Sequence, residues 1–166
     1  MRRIVMGPFI AGLVLAGLCL ALRLYMGRAA EDVLQAGERV TLAELRDPIP
    51  ANAFLACPRG YCAATAAESP EFALSVDRLT EDWAEMIAGE RDVVQVEDQP
   101  AARRVVFIQH TPLLRFPDII TVEFVALAPD RSSLAIYSRA RYGRGDFGTN
   151  RKRVLRWLDR LARIAG

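Results

Sequence analysis

Nineteen consecutive residues near the N-terminus, Ile4 to Leu22, carry no charge. As a helix they extend roughly 28 Å at about 1.5 Å per residue, enough to cross the hydrocarbon core of a bilayer. Such a chain divides into a segment suited to lipid and a remainder that must fold in water. The run also exceeds the ~7–15 residue apolar region of a cleaved signal peptide. Gly27-Arg28-Ala29 offers only a weak small-x-small cleavage site, so residues 1–28 are expected to be a retained single-pass anchor. Leu18 precedes Cys19 where a lipoprotein motif needs a small residue, so lipidation is not expected. Arg2 and Arg3 lie before the run, whereas Arg23 and Arg28 lie after it, diluted by Glu31 and Asp32. That balance favours a cytoplasmic N-terminus and an external domain.

The 138 residues that follow position 28 are one domain by length, able to bury a core without metals or a dense disulfide framework. Apart from the four flanking arginines, 18 basic residues face 20 acidic ones, so the folded part is close to neutral. Its charges are nevertheless segregated. Glu31 to Asp98 holds 15 of the 20 acidic residues, and Arg139 to Arg163 holds nine basic residues against Asp146 and Asp159. A basic end suits phosphate or lipid headgroups, or it packs against the acidic half of its own domain. A near-neutral external domain lacks the broad basic footprint of a nucleic-acid binder, so no nucleic-acid partner is expected.

Cys57 and Cys62 lie in a proline-rich stretch (Pro48, Pro50, Pro58, Pro70), with spacing open to a small disulfide in an oxidising compartment. Free thiols are the alternative. A zinc site needs about four ligands, and His110 is the single histidine, so no metal is expected.

The pattern beyond the anchor predicts an α+β fold. Thr41-Leu-Ala-Glu44 matches a capping box for a brief helix ended by Pro48, and a loop of twenty or so residues should follow. Val76, Leu79, Trp83, Met86 and Ile87 share a helical face that Gly89 closes. Four strand-like runs come next, at Val93–Val96, Arg104–His110, Ile119–Leu127 and Leu134–Ala140. Their short connections imply hairpins and an antiparallel sheet. Thr149 to Ala165 reads as a last helix with an apolar stripe of Val154, Trp157, Leu158, Leu161 and Ile164. The expected architecture is an N-terminal transmembrane helix, then about four antiparallel strands in a meander with two helices on one face.

Gly143-Arg-Gly145-Asp-Phe-Gly148 fits the letters G-x-G-x-x-G between a strand and a helix. The dinucleotide fingerprint needs a following strand with an acidic residue, and the sequence has no strand after this helix. No nucleotide cofactor is therefore expected. The glycines suit a turn with positive φ, with Asp146 bonding amides in the turn and Thr149 or Asn150 capping the helix. Arg151, Lys152 and Arg153 nevertheless sit where the helix dipole disfavours cations. Either nearby acids offset them or an anion binds there.

The stretch Ser138-Arg-Ala-Arg141-Tyr-Gly143-Arg-Gly-Asp146-Phe-Gly148-Thr-Asn150-Arg151-Lys-Arg153 resembles the signature of the domain of unknown function 1499 family. That signature is similar to Arg-Ser-x-Ser-Arg-x-Gly-x-x-Asp-x-Gly-x-Asn-Arg-x-Arg, and Phe116-Pro117-Asp118 resembles the family's aromatic and acidic strand start. The likeness covers about residues 54 to 161. It implies small bacterial envelope proteins with an N-terminal signal or anchor, and it brings no catalytic residues, substrate or cofactor. Tyr137 stands where the pattern favours Arg, Ala140 replaces a Ser, and the cysteine region Ala-Cys-Pro-Arg-Gly-Tyr-Cys departs from the family's form. The chain divides on this reading into an anchor (1–28), a connector (29–53) and a family-like α+β domain (54–166) at the bacterial inner membrane, with the domain periplasmic.

No catalytic residue is assigned. His110 is a lone histidine near a strand end, Asp118 and Asp146 are open to neutralisation by Arg139 and Arg141, and no nucleophile motif is present. The leading expectation is a non-catalytic domain that binds an anionic lipid or a phosphate-bearing envelope component. Its candidate residues are Arg141, Gly143, Asp146, Gly148, Asn150, Arg151 and Arg153, with Ser138, Arg139 and Asp118 secondary. The alternative is an envelope scaffolding module, with an envelope protein as partner, in which the same arginines form a structural network.

Overall fold

The protein is described by a computed structural model covering residues 7–29, 34–35 and 37–166. A single helix, α1 (Gly7–Ala29), opens the chain. Its described side chains run from Ile10 to Tyr25 and all are exposed, Leu13, Val14, Leu15 and Leu18 by 64–72%. Among the described residues no helix is long and apolar enough to cross a membrane. The start of the charge-free run, with Arg2 and Arg3 before it, lies outside the described residues, as do Glu31 and Asp32.

The domain then follows the order β1 (Ala53–Cys57), β2 (Ala67–Glu68), α2 (Val76–Ala88), β3 (Val93–Gln99), β4 (Arg104–His110), β5 (Pro117–Ala128), β6 (Arg131–Ala140) and α3 (Thr149–Ile164). The last four strands form the expected antiparallel meander. The sheet as a whole corrects the expectation of about four strands. It has six, in the order β2-β1-β6-β5-β4-β3, and it is mixed because β2 runs parallel to β1. The segment expected to be loop contains β1, which adds to β6 through pairs such as Phe54 with Ser138 and Ala56 with Ile136. Ala53-Phe-Leu-Ala-Cys57 is too apolar to alternate, and it is buried almost throughout. A strand covered on both faces gives no period of two to read.

Pleating divides the sheet into two faces. One face presents Ile120, Val122, Phe124, Leu134, Ile136 and Phe107 to the apolar sides of α2 and α3. Trp83 of α2 and Trp157 of α3 meet edge to face at 5.8 Å in the middle of this layer. Both are essentially fully buried, and the two-helix layer agrees with the helical periods in the sequence. Ser75 starts α2 by accepting the Arg78 amide at 3.3 Å.

The second face is covered by the connector. Leu34 packs on Val106, Ile108 and Ile119, while Leu42, Val40, Leu45 and Ile49 pack around Leu55, Ala135 and Tyr137. The expected capping box at Thr41 does not form. Leu42–Glu44 is a single 3-10 turn, and Thr41 makes no side-chain cap. Burial of Leu42 decides the local geometry instead, with its amide held by the Glu123 carboxylate at 3.1 Å. Tyr61 donates to the same carboxylate at 3.0 Å. Burial, with Glu123 beside it, pushes the Tyr61 hydroxyl up to about 12. Among the described residues none of the three apolar clusters includes a residue of α1, so the apolar core is built within residues 34–166.

Trp157→Ala removes the centre of the two-helix layer and should cost about 3–5 kcal/mol. Leu155→Ala, on the exposed side of the same helix, should stay within about 0.5 kcal/mol. Urea unfolding followed by circular dichroism checks both values.

Candidate functional site

Strand β6 ends at Ala140, and residues 141–148 turn the chain into α3. Gly143 (φ 89°) and Gly148 (φ 75°) take left-handed conformations that a side chain would resist. Asp146 organises the turn, accepting the Gly148 amide at 2.9 Å and the Asn150 amide at 2.7 Å. The helix cap is therefore not Thr149 or Asn150, as the sequence suggests. The N-cap residue is Gly148, and the aspartate two residues before it accepts the Asn150 amide with its carboxylate and the Thr149 amide with its carbonyl. Burial alone would raise the Asp146 carboxyl, but these amide bonds outweigh it and hold the group below its ordinary value.

Asn150, freed from capping, points inward. It donates to the Asn52 carbonyl at 3.0 Å, and its Oδ1 accepts from the Ser138 hydroxyl at 2.6 Å. The Arg153 guanidinium completes the cluster. It donates to Asp118 Oδ2 at 2.6 Å, to Ser138 Oγ at 2.8 Å, to Asn150 Oδ1 at 2.5 Å and to Gln109 Oε1 at 2.5 Å. Ser138, Asn150, Asp118 and Arg153 are all at most 5% exposed. Four elements thus meet at one cation: β4 through Gln109, β5 through Asp118, β6 through Ser138 and α3 itself. Burial pushes the Asp118 carboxyl up, while Arg153 pulls against that shift.

Arg141 closes a second pair, forked onto Glu38 at 2.7 and 2.8 Å with both side chains at most 9% exposed. Arg139 adds a bond to the Glu38 carbonyl at 3.2 Å. Burial opposes ionisation of Glu38, but the Arg141 and Gln35 bonds prevail and hold its carboxyl below the ordinary value. The connector is thereby clamped to the end of β6.

The signature cations therefore split into two groups. Arg141 and Arg153 are buried and engaged. Arg144, Arg151 and Lys152 are exposed, and among the described residues none of them forms an ion pair. Arg151 lies 6.0 Å above the Phe54 ring. Lys152 borders a cleft of about 640 Å³ between the end of β4 and the start of α3, with His110, Asp92 and Arg156. Arg156 and Arg160 both bond Glu90, at 2.8 and 2.9 Å. Among the described residues no group of three or more His, Cys, Asp or Glu side chains is placed to hold a metal. Cys57 and Cys62 are paired as a disulfide at the end of β1, with Cα atoms 6.1 Å apart.

Glu38, Gln109 and Asn52 escape the sequence reading. Each is far from the signature in the chain, and Glu38 sits in what reads as a connector. The one sequence signal for such partners was the excess of cations at the α3 start, which implied acids elsewhere.

Asp146→Ala should cost about 0.5–2 kcal/mol at neutral pH, the usual scale for a lost helix cap. Because its folded-state pKa is depressed, the Asp146 contribution is full above the ordinary value of 3.8 and is lost as pH falls through the lowered one. The gap between wild type and variant should therefore close in acid, a trend read from thermal unfolding across pH 2–7.

A family described as "Protein of unknown function (DUF1499)" matches residues 55–161. No curated protein matches the chain. A solution NMR structure of a protein from Thermobifida fusca is similar at 13% identity, covering 68% of this chain and 95% of that one with a TM-score of 0.40. The family match takes in β1 from Leu55 through most of α3, including the whole arginine signature, and the chain belongs to the DUF1499 family.

Proposed function

We propose that this protein is a non-catalytic module, tethered by its N-terminal helix to a membrane with the domain outside the cytoplasm, that binds a phosphate-bearing anion. The ligand-facing cations are Arg144, Arg151 and Lys152. What carries the reading is the division of the signature: Arg141 and Arg153 are consumed by Glu38 and Asp118, and the exposed three are left beside the amino end of α3. Cations at that end of a helix are unfavourable without an anion nearby, and the carboxylate that is there, Asp146, is taken up by the turn amides rather than by these side chains. The tether is supported by the charge-free run and by the exposed apolar side chains of α1. The absence of catalysis is supported by the state of the two candidate carboxylates. Asp118 is engaged by Arg153, and Asp146 by the turn amides.

The second reading, a scaffolding module with a structural arginine network, is favoured by the same buried pairs. The two readings agree on Arg141 and Arg153 and differ on the exposed cations.

Residues 34–166 allow a direct test, by co-sedimentation with phosphatidylglycerol or phosphatidylcholine vesicles at low and high salt. Anionic vesicles should bind the domain, and high salt should release it. Replacing Arg144, Arg151 and Lys152 with Gln should weaken binding on the order of 100-fold, at about 1 kcal/mol per cation. Competition by inorganic phosphate separates a free anion from a lipid headgroup. Equal sedimentation of wild type and triple variant would remove anion binding and leave the scaffolding reading.

A further inference from the structure

Among the described residues outside α1, the three most exposed large apolar side chains are Leu113 (75%), Tyr142 (44%) and Phe147 (101%). They occupy two loops, 111–116 and 141–148, at one end of the sheet. The loops are neighbours, because Asp118 pairs with Ala140 and the Arg141 amide bonds the Pro117 carbonyl at 3.1 Å. The tether arrives at the same end. Arg23 of α1 donates to the Pro112 carbonyl at 2.6 Å and the Leu113 carbonyl at 2.7 Å.

Phe147 is the least expected of the three. It adopts a left-handed conformation (φ 52°), which is unfavourable for a bulky side chain, and it is fully exposed. The turn that holds it there is fixed by Asp146. Such a position has no reward within the domain. The unpaired charges named at this end of the sheet are one-sided. Arg144, Arg151 and Lys152 are exposed, whereas Asp92 is occupied by Arg115, Glu90 by Arg156 and Arg160, and Asp146 by amides. Apolar and aromatic tips on an end of the sheet that also carries exposed cations fit the boundary between anionic headgroups and acyl chains.

We infer that this end of the domain rests on the bilayer that holds α1, with Phe147 and Leu113 inserted at the headgroup boundary and Tyr142 at its level. The inference builds on the tethered reading above and adds an orientation to it. The opposite end, at the Asp130 turn between β5 and β6, faces away from the membrane. A basic, lipid-seated end would hold the cleft beside Lys152 directly over the headgroup layer.

The test uses the full chain with Cys19→Ala in liposomes of phosphatidylglycerol and phosphatidylcholine. An environment-sensitive fluorophore is placed at Leu113→Cys, Phe147→Cys, Asp130→Cys or Leu15→Cys, with nitroxide-labelled lipids as quenchers. Thermal unfolding matched to the parent shows that each labelled variant is folded. The fluorophores at 113 and 147 should shift to the blue and lose about half their intensity or more, as expected for groups buried ~5–10 Å into the interface. The fluorophore at 130 should behave as in water, and that at 15 should be quenched. Quenching at 15 with water-like behaviour at 113 and 147 would overturn the inference and leave the tether standing. No quenching at 15 would overturn the tether and the inference together.

Discussion

The buried guanidinium of Arg153 fixes how the last helix sits on the sheet. A cation removed from water is tolerated only when its donors are met, and here four side chains on four elements meet them. The arrangement leaves little freedom. A shift of α3 by one residue would pull the guanidinium away from Asp118, Ser138 and Gln109 at once. The glycine turn before the helix follows from the same constraint, since it must deliver Asn150 and Arg153 to these partners within a few residues of Ala140. Hence Gly143 and Gly148 take positive φ and Asp146 bonds two amides.

The Arg141–Glu38 pair extends this logic to the other face. Among its described residues the connector has one short turn before β1, yet it covers the sheet with Leu34, Leu42 and Ile49. The forked pair fixes one end of it, and Glu123 with Tyr61 fixes the middle. Such pairs are weak contributors to net stability but strong determinants of which packing is adopted, because the unpaired alternative is costly. The arrangement also divides labour among the cations of the signature, since Arg141 and Arg153 are committed to the fold while Arg144, Arg151 and Lys152 stay exposed.

Much of this was legible in the sequence where periodicity was strong. The meander β3 to β6 and the helices α2 and α3 follow from alternation and from helical stripes such as Val76, Leu79, Trp83 and Met86. Strand β1 was not legible, because Ala53 to Cys57 is apolar throughout and lies between prolines that read as loop. The turn chemistry of Asp146 was visible, but Asn150 looked like a cap and proved to be a buried bridge. Glu38 could not be found, since its pairing with Arg141 spans 103 positions and no local pattern encodes it. What the sequence misjudged was the state of Arg153. On a helical wheel it belongs with Arg156, Arg160 and Arg163, and only the geometry of the sheet end turns it inward.

The most direct test of the central role of Arg153 is a double-mutant cycle with Asp118, measured by urea unfolding of residues 34–166. If the pair anchors the helix, Asp118→Ala and Arg153→Met should each cost about 3–5 kcal/mol. The double variant should cost less than the sum, with a coupling of about 1–3 kcal/mol. Additive losses, or an Arg153→Met variant as stable as wild type, would contradict the account.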